Sequence, residues 1–405
     1  MLTNVELENF KCLERVSLSL SPITLLIGLN GSGKSSILHS LVFLKKFILQ
    51  PQTFNPENLG DLTPYDYVNL GNFDEIVYLH KGEKPIIIAV EFKGQNSQSK
   101  LRLTLNKPPK HSQSTITLSE PVKLSLSVSF NSFPYQGNQL VHGNVNYDRL
   151  THTIQWNGLR ISVTSGSKAS ELSSKLNEYH QLLSGLFLFH LRQTFKTVTY
   201  LPTPTIDCTK PIITENEAVG YLSQPIPLAD DLTEKLSHYL DSMIGEEAEF
   251  RFYSGMVRPT LKLRGIARFA LSTEGLGSNR LAFMLMTLLI PHVKTLLIEE
   301  PETHLHPKVI YDMGKVIANI IKSEGKQVII TTHSEHFLFS LLSCVGEGLL
   351  TPEDLAIYSF KKEGSRSQIT KLKVTEDGQV EEGLPEFFES DWEIFEKYLK
   401  SLGKS

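Results

Sequence analysis

Three short apolar runs punctuate this chain, and each ends in polar or charged residues: Ile23–Ile27, Thr295–Ile298 and Val328–Ile330. Runs that are apolar on consecutive positions predict strands covered on both faces, as in a parallel sheet. After the first run, Leu38, Leu41, Val42, Ile48 and Leu49 recur at helical spacing, which predicts a helix packing one face on that sheet. From about residue 85 the period switches to two. Val122, Leu124, Leu126, Val128 and Phe130 alternate with polar partners, as a half-solvated antiparallel strand requires. Ile86–Phe92 and Leu101–Leu105 read as further strands, with 95–100 and 106–114 as loops rich in Gln, Ser, Lys and Pro. Asn157-Gly158, between Thr153–Trp156 and Leu159–Val163, predicts a type I′ hairpin.

Farther on the helical period returns. Leu172, Leu176, Tyr179, Leu182, Leu183, Leu186 and Phe187 predict one apolar stripe along a helix, and Asp230–Ile244 predicts a second, shorter one. No heptad persists, so a coiled-coil arm is not expected. The Pro-rich segment Leu201–Pro227 is assigned no regular conformation. Asp391–Leu399 reads as a terminal amphipathic helix that packs or docks.

The first apolar run opens into Gly28-Leu29-Asn30-Gly31-Ser32-Gly33-Lys34-Ser35, a complete G-x-x-x-x-G-K-[ST] motif between a strand and a helix. Its glycines let backbone N–H groups turn inward around phosphate oxygens, and the helix behind points its positive end at the same anion. The expected contacts run from Asn30, Gly31, Ser32 and Gly33 through Lys34 and Ser35 to Ser36. Lys34 reaches the β/γ-phosphates and the Ser35 hydroxyl ligates Mg²⁺. The motif implies a bound nucleoside triphosphate.

The second run ends in Glu299-Glu300-Pro301. At the C-terminal edge of a parallel sheet, where ligands bind, Glu299 is expected to hold the Mg²⁺ sphere and Glu300 to take a proton from attacking water. The third run ends in Thr331-Thr332-His333-Ser334, which places His333 to bond the γ-phosphate.

With these motifs in view, the chain resembles the ABC-type ATPase heads of the SMC, RecF and OLD branch. Glu299 to His306 (EEPETHLH) aligns without a gap on the family's D-E-P-T-S-A-L-D pattern. Glu299 falls on the Walker B acid, Glu300 on the catalytic glutamate and His306 on the D-loop aspartate. The first Glu, the His306-Pro307 ending and the opening Val5–Lys11 (VELENFK) are similar to the OLD-like subfamily. The resemblance implies ATP and Mg²⁺ as cofactors. It also implies a signature sequence that caps the nucleotide of a partner subunit, and Leu271–Arg280 lies where a signature belongs, with Gly277 and Ser278 as candidate γ-phosphate donors. Asn72 or Asp74 stands where the family has its Q-loop. His304 and His306 superficially resemble metal ligands, but a dimer-facing D-loop accounts for them without a metal.

Composition bounds the possibilities. A chain of 405 residues can bury a large core. The 40 Lys and Arg against 44 Asp and Glu give a net charge of −4 and no general pull toward nucleic acid. Cys12, Cys208 and Cys344 are widely spaced, as in a reducing cytoplasm. The apolar stretch at Leu281–Ile290 is far short of the ~20 residues that cross a bilayer, so no membrane is expected.

The expected fold is α/β: a P-loop NTPase, an ABC-ATPase-like head with an antiparallel β lobe and a helical insertion. Its expected parts are an N-terminal lobe at 1–165, a helical insertion with a connector at 166–250, a C-terminal lobe at 251–345 and a tail at 346–405. Neither the D-x-D pair nor the length of a Toprim nuclease follows His333, and no other nucleophile constellation is present. ATP hydrolysis is then the only chemistry expected. The function expected is a sensor or regulator of a separately encoded effector, in anti-phage defence or DNA maintenance, working as a homodimer or larger homo-oligomer. The alternatives are a RecF-like repair ATPase that binds DNA directly and, behind it, a transporter subunit.

Overall fold

The computed structural model describes residues 1–50, 68–80, 84–93, 98–107, 113–119, 124–129, 141–147, 150–156, 161–163, 169–190, 192–196, 199–200, 205–222, 227–253, 256–263, 267–273, 275–364, 366–381 and 383. The run at 23–27 becomes β3 (Ile23–Gly28), with Ile23, Leu25 and Leu26 wholly buried. It lies inside a six-stranded sheet. Three strands stand to one side of it, β11 (Leu186–Phe189), β16 (Thr295–Glu299) and β17 (Gln327–Thr332). Two stand to the other, β18 (Leu355–Glu363) and β19 (Arg366–Leu372). All run parallel except β19, which turns back on β18.

Alternate residues of these strands feed opposite cores. Leu26, Leu297 and Ile329 join one cluster with α1 (Lys34–Leu49). Leu25, Leu296, Ile298, Val328 and Ile330 join the other, with α6 (Leu276–Leu289), α7 (Pro307–Glu324) and α8 (Glu335–Gly346). Burial of each such side chain contributes about 1.5–3 kcal/mol, and the two buried threonines in the runs are hydrogen-bonded, Thr24 Oγ1 to Ser21 O and Thr295 Oγ1 to Gln327 Oε1.

A second sheet covers the far side of α1. It is antiparallel throughout, in the order β2 (Leu13–Ser19), β1 (Leu2–Phe10), β4 (Ile86–Lys93), β5 (Gln98–Leu105), β6 (Gln113–Ser119) and β7 (Leu124–Ser129). Val5, Leu7, Ile88 and Leu103 share the α1 core, so this helix is packed between two sheets. A separate three-stranded sheet holds β8 (Val141–Tyr147), β9 (Leu150–Trp156) and β10 (Ile161–Val163). A fourth sheet contains β12 (Thr199–Tyr200), β13 (Glu246–Tyr253), β14 (Met256–Leu263) and β15 (Ala267–Ala270). The remaining helices are α2 (Phe73–Ile76), α3 (Ala169–Ser184), α4 (Glu215–Leu222) and α5 (Pro227–Ile244). Among the described residues no helix is long and apolar enough to cross a membrane.

Several expectations are corrected. The stripe from Leu172 ends with α3 at Ser184, and Leu186 and Phe187 instead open β11 against β16. A four-residue apolar run after Gly185 fits the buried edge of the parallel sheet better than another helical turn. The segment Leu201–Pro227 contains α4, whose Glu217 binds the N–H groups of Asp207 and Thr214. Gln98–Lys100 and Gln113-Ser114, expected in loops, are in β5 and β6. Trp156 pairs with Ile161, so the chain between β9 and β10 is longer than a two-residue turn, and Asn157 and Gly158 lie outside the described residues. Within the part expected as a tail, β18 pairs directly with β3. The helix expected at Asp391–Leu399 lies outside the described residues.

Candidate nucleotide site

Where β3 ends, Gly28 has φ 135°, and a Cβ there would collide with the backbone carbonyl of Phe360 on β18. Only glycine lets the neighbouring strand come this close. Gly33 is the N-cap of α1, and no side chain caps the helix. The first-turn N–H groups and the helix dipole together make an anion site. Asn30 and Gly31 are exposed at the loop tip, whereas Ser32 is fully buried and its Oγ has no hydrogen-bond partner among the described residues. Lys34 Nζ donates to the carbonyls of Gly28 at 2.7 Å and Leu29 at 2.9 Å. Burial depresses the Lys34 pKa to about 8, although the nearby Glu300 and Glu302 carboxylates pull it upward. Ser35 and Ser36 stand in the first turn of α1.

The expected pair of carboxylates lies across from this loop. Glu299, the last residue of β16, is 5% exposed. His39 Nε2 meets its Oε1 at 2.9 Å and His190 Nε2 lies 3.4 Å from its Oε2. Burial raises the Glu299 pKa, but the hydrogen bond from His39 and the two imidazoles outweigh it and the net shift is downward. Ser35 and His39 are one turn apart on the same face of α1. The His39 contact therefore brings Glu299 to the side of the helix that carries Ser35.

Glu300 leaves the strand with φ 44°, a strained value for a residue other than glycine. Its N–H donates to Thr331 O at 3.0 Å, and its carbonyl accepts from Thr303 Oγ1 at 2.9 Å. These contacts aim its carboxylate toward the end of β17. His333 Nε2 lies 3.4 Å from Glu300 Oε1, within ion-pair range but outside hydrogen-bond geometry. The His333 imidazole is the chief reason the Glu300 pKa falls below its ordinary value, with Lys34 and Arg280 adding to the effect. The sheet thus brings Lys34, Glu299, Glu300 and His333 to the C-terminal edges of three adjacent strands, β3, β16 and β17.

The candidate signature segment packs on the turn that follows β16 in the same chain. Gly275 caps α6, and Gly277 sits in the first turn, where a Cβ would strike the carbonyl of His304. Glycine at 277 is therefore needed for this intramolecular packing. Ser278 is half-buried beside it. Arg280 Nη1 donates to Thr303 O at 3.0 Å, and Asn279 ties Phe195 and Leu271 to the helix. Asn72 and Asp74 are not drawn into the site. Asn72 caps α2 in a reciprocal capping box with Glu75, and Asp74 pairs with Lys107 at the surface. His306 caps α7 through Nδ1, and among the described residues no group of His, Cys, Asp and Glu is arranged to hold a metal by itself.

Two residues here, His39 and His190, were not singled out from the sequence; Glu302 was noted only beside the His304/His306 pair, and Arg280 only as the end of the candidate signature. His39 had a signal, since it stands one helical turn beyond Ser35. Glu302 lay in plain view inside the EEPE run. It accepts from Thr332 Oγ1 at 2.9 Å and from His333 N at 2.7 Å, and its buried Oε2 has no hydrogen-bond partner among the described residues. Its pKa is raised by burial. His190, just past β11, carries no local signal.

The residues present fit a nucleotide with its metal. The loop offers uncapped N–H groups, and the buried Ser32 Oγ, Glu302 Oε2 and His333 Nε2 all lack hydrogen-bond partners among the described residues. Ser35 and Glu299 supply the hard oxygen donors that Mg²⁺ prefers.

Comparison with known proteins agrees. The family model of the AAA ATPase domain matches residues 1–338. The DNA replication and repair protein RecF of Francisella tularensis subsp. mediasiatica (strain FSC147) is 30% identical over 134 residues, 32% of this chain and 34% of that protein. RecF of subsp. novicida (strain U112) matches to the same extent. The chain matches about a third of the length of these curated relatives. The Smc head solved with the C-winged helix domain of ScpA superimposes with a TM-score of 0.53 at 13% identity, covering 92% of this chain and 97% of that one. The fold is that of a P-loop ABC-type ATPase head.

Proposed function

Since the chain belongs to the AAA ATPase domain family, we propose that it binds ATP with Mg²⁺ in the loop 28–35 and hydrolyses it. Asn30 to Gly33, Lys34 and Ser36 hold the phosphates, and Ser35 and Glu299 hold the metal. Mg²⁺, when bound, neutralises charge on the phosphate oxygens. Glu300 orients and deprotonates the attacking water, and His333 bonds the γ-phosphate beside it. The observation that carries this reading is the approach of Glu300 to His333 at the ends of β16 and β17, with β17 pairing directly with the strand that feeds the P-loop. The signature segment, with Gly277 and Ser278, is taken to cap the ATP of a second copy in an isologous homodimer. ATP then favours the closed dimer and hydrolysis releases it, which supplies a two-state element for signalling.

For the biological role, we read the protein as a cytoplasmic sensor or regulator of a separately encoded effector, in anti-phage defence or DNA maintenance. The similarity to RecF supports a second reading, direct DNA binding in repair. The ATP site is tested by nucleotide titration of Lys34→Ala, which is expected to fall to background; unchanged affinity overturns the assignment. The roles are separated by DNA affinity measured over a range of salt. A steep loss with salt marks phosphate contacts and favours the RecF-like reading, whereas no affinity at low salt favours the effector. Co-purification with the products of neighbouring genes then looks for that effector.

A further inference from the structure

Glu299 is buried, and its two carboxylate oxygens face imidazoles from two separate parts of the chain. His39 on α1 meets Oε1 at 2.9 Å, and His190 beyond β11 faces Oε2 at 3.4 Å. Behind His39, Lys11 from the turn between β1 and β2 places Nζ 3.1 Å from His39 Nδ1. We propose that His39 and His190 are positioning residues that seat the Glu299 carboxylate for the nucleotide-bound Mg²⁺, with Lys11 setting which nitrogen of His39 carries the proton.

Donors and acceptors fix the protonation of both imidazoles. A neutral imidazole has one N–H, and the partner of one nitrogen decides where that hydrogen goes. An ammonium group only donates. His39 Nδ1 must therefore accept from Lys11, which leaves the hydrogen on Nε2, toward Glu299. His190 reaches the same state by another route. Its Nδ1 accepts from the backbone N–H of Arg192 at 3.2 Å, so its Nε2 also carries hydrogen toward the carboxylate. Oε1 of Glu299 accepts the bond from His39, Oε2 faces the His190 N–H at 3.4 Å, and both oxygens keep lone-pair capacity for a metal. A glutamate side chain has an extra rotatable bond compared with aspartate, and holding it in one place costs more entropy. Two imidazoles, themselves fixed from behind, supply that hold. Partners of this kind typically change metal affinity about 10–100-fold.

The alternative is that the histidines only satisfy a buried carboxylate. The proposal rests on the nucleotide reading above, so the test measures binding with and without metal. ATP affinity is titrated in excess chelator and again over a range of Mg²⁺, and Mn²⁺–ATP binding is followed by electron paramagnetic resonance. His39→Phe is expected to keep its metal-free ATP affinity while the half-saturating metal concentration rises about tenfold. His39→Gln, whose amide N–H takes the place of Nε2–H, should recover most of that loss. Lys11→Met and His190→Phe should show smaller rises. Wild-type metal dependence in both His39→Phe and Lys11→Met would overturn the proposal. So would an equal loss of metal-free affinity in His39→Phe and His39→Gln with a lowered melting temperature, which marks a structural role alone. If His39→Phe does not fold, His39→Gln and Lys11→Met decide by the same readout. Failure of the underlying reading is separate, because it would appear as intact ATP binding in Lys34→Ala.

Discussion

Glu302 Oε1 accepts the backbone N–H of His333 at 2.7 Å, which ties the turn after β16 to the first residue beyond β17. The same oxygen accepts from Thr332 Oγ1 at 2.9 Å. A single side chain therefore holds the loop that carries His333 against the loop that carries Glu300. The two groups read as the catalytic pair are set relative to each other by a third residue that need not touch substrate.

Replacing Glu302 separates geometry from charge. Glu302→Ala removes the acceptor for two buried donors and should cost about 1–3 kcal/mol of stability. It should also slow ATP hydrolysis more than it weakens ATP binding, since Lys34 is untouched. Glu302→Gln keeps an accepting oxygen and removes a charge that burial disfavours, so its melting temperature should not fall at neutral pH. Thermal melts and steady-state ATPase assays of the two variants check this; equal behaviour of Ala and Gln would show that the acceptor is dispensable.

Glu300→Gln should keep ATP binding while turnover falls by about 10²-fold or more, because the water loses its base and Glu299 remains. The same variant with saturating ATP and Mg²⁺ should run as a dimer in light scattering. A strict monomer at micromolar concentration would sink the shared-site mechanism.

The candidate site was largely legible because its motifs place particular residues at fixed local spacing. The P-loop, the run ending at Glu299-Glu300 and the strand ending at His333 are each contiguous, and the parallel sheet carries them to one edge. What escaped was non-local. Leu186 and Phe187 continue the α3 stripe on paper, and only the open edge of β16 makes them a strand. Glycine at 277 invites a phosphate explanation, yet the His304 carbonyl already requires it. His190 reaches Glu299 across more than a hundred positions, and no period or motif marks that distance. The β18 strand was hidden for the same reason: its apolar run gives no sign that it pairs beside the P-loop strand.

Gly277→Val follows from that close packing. The added carbons meet the backbone of His304, which cannot give way as a flexible side chain does. Overpacking of this kind costs about 1–3 kcal/mol and should displace the turn 300–305. The melting temperature should fall even at protein concentrations too low for dimers to form. Intact monomer stability with a loss of dimer alone would mean that the turn at His304 tolerates a side chain at 277 and that glycine is needed only at the dimer interface.

Lys45 gives a prediction about pH. It is wholly buried on α1, donates to the carbonyls of Leu186 at 2.5 Å and Ser184 at 3.3 Å, and lies 3.8 Å from the centroid of the Phe187 ring. Burial lowers its pKa from 10.5 to about 7, against the pull of Cys208, Asp207 and Glu217. Between those two values the unfolded chain holds a proton that the folded chain has given up, so stability rises with pH across that window. Below about 7 both states are protonated and this slope disappears. Each unit of pH inside the window is worth at most about 1.4 kcal/mol. Lys45→Met removes this term and leaves two carbonyls without a donor, an offset that does not change with pH. Lys326, with a pKa also lowered to about 7, contributes the same slope to both proteins and cancels in the difference. The stability of wild type relative to Lys45→Met should therefore grow steadily from neutral to mildly alkaline pH in denaturant titrations. Parallel curves for the two proteins would mean that the Lys45 ammonium stays protonated inside the fold.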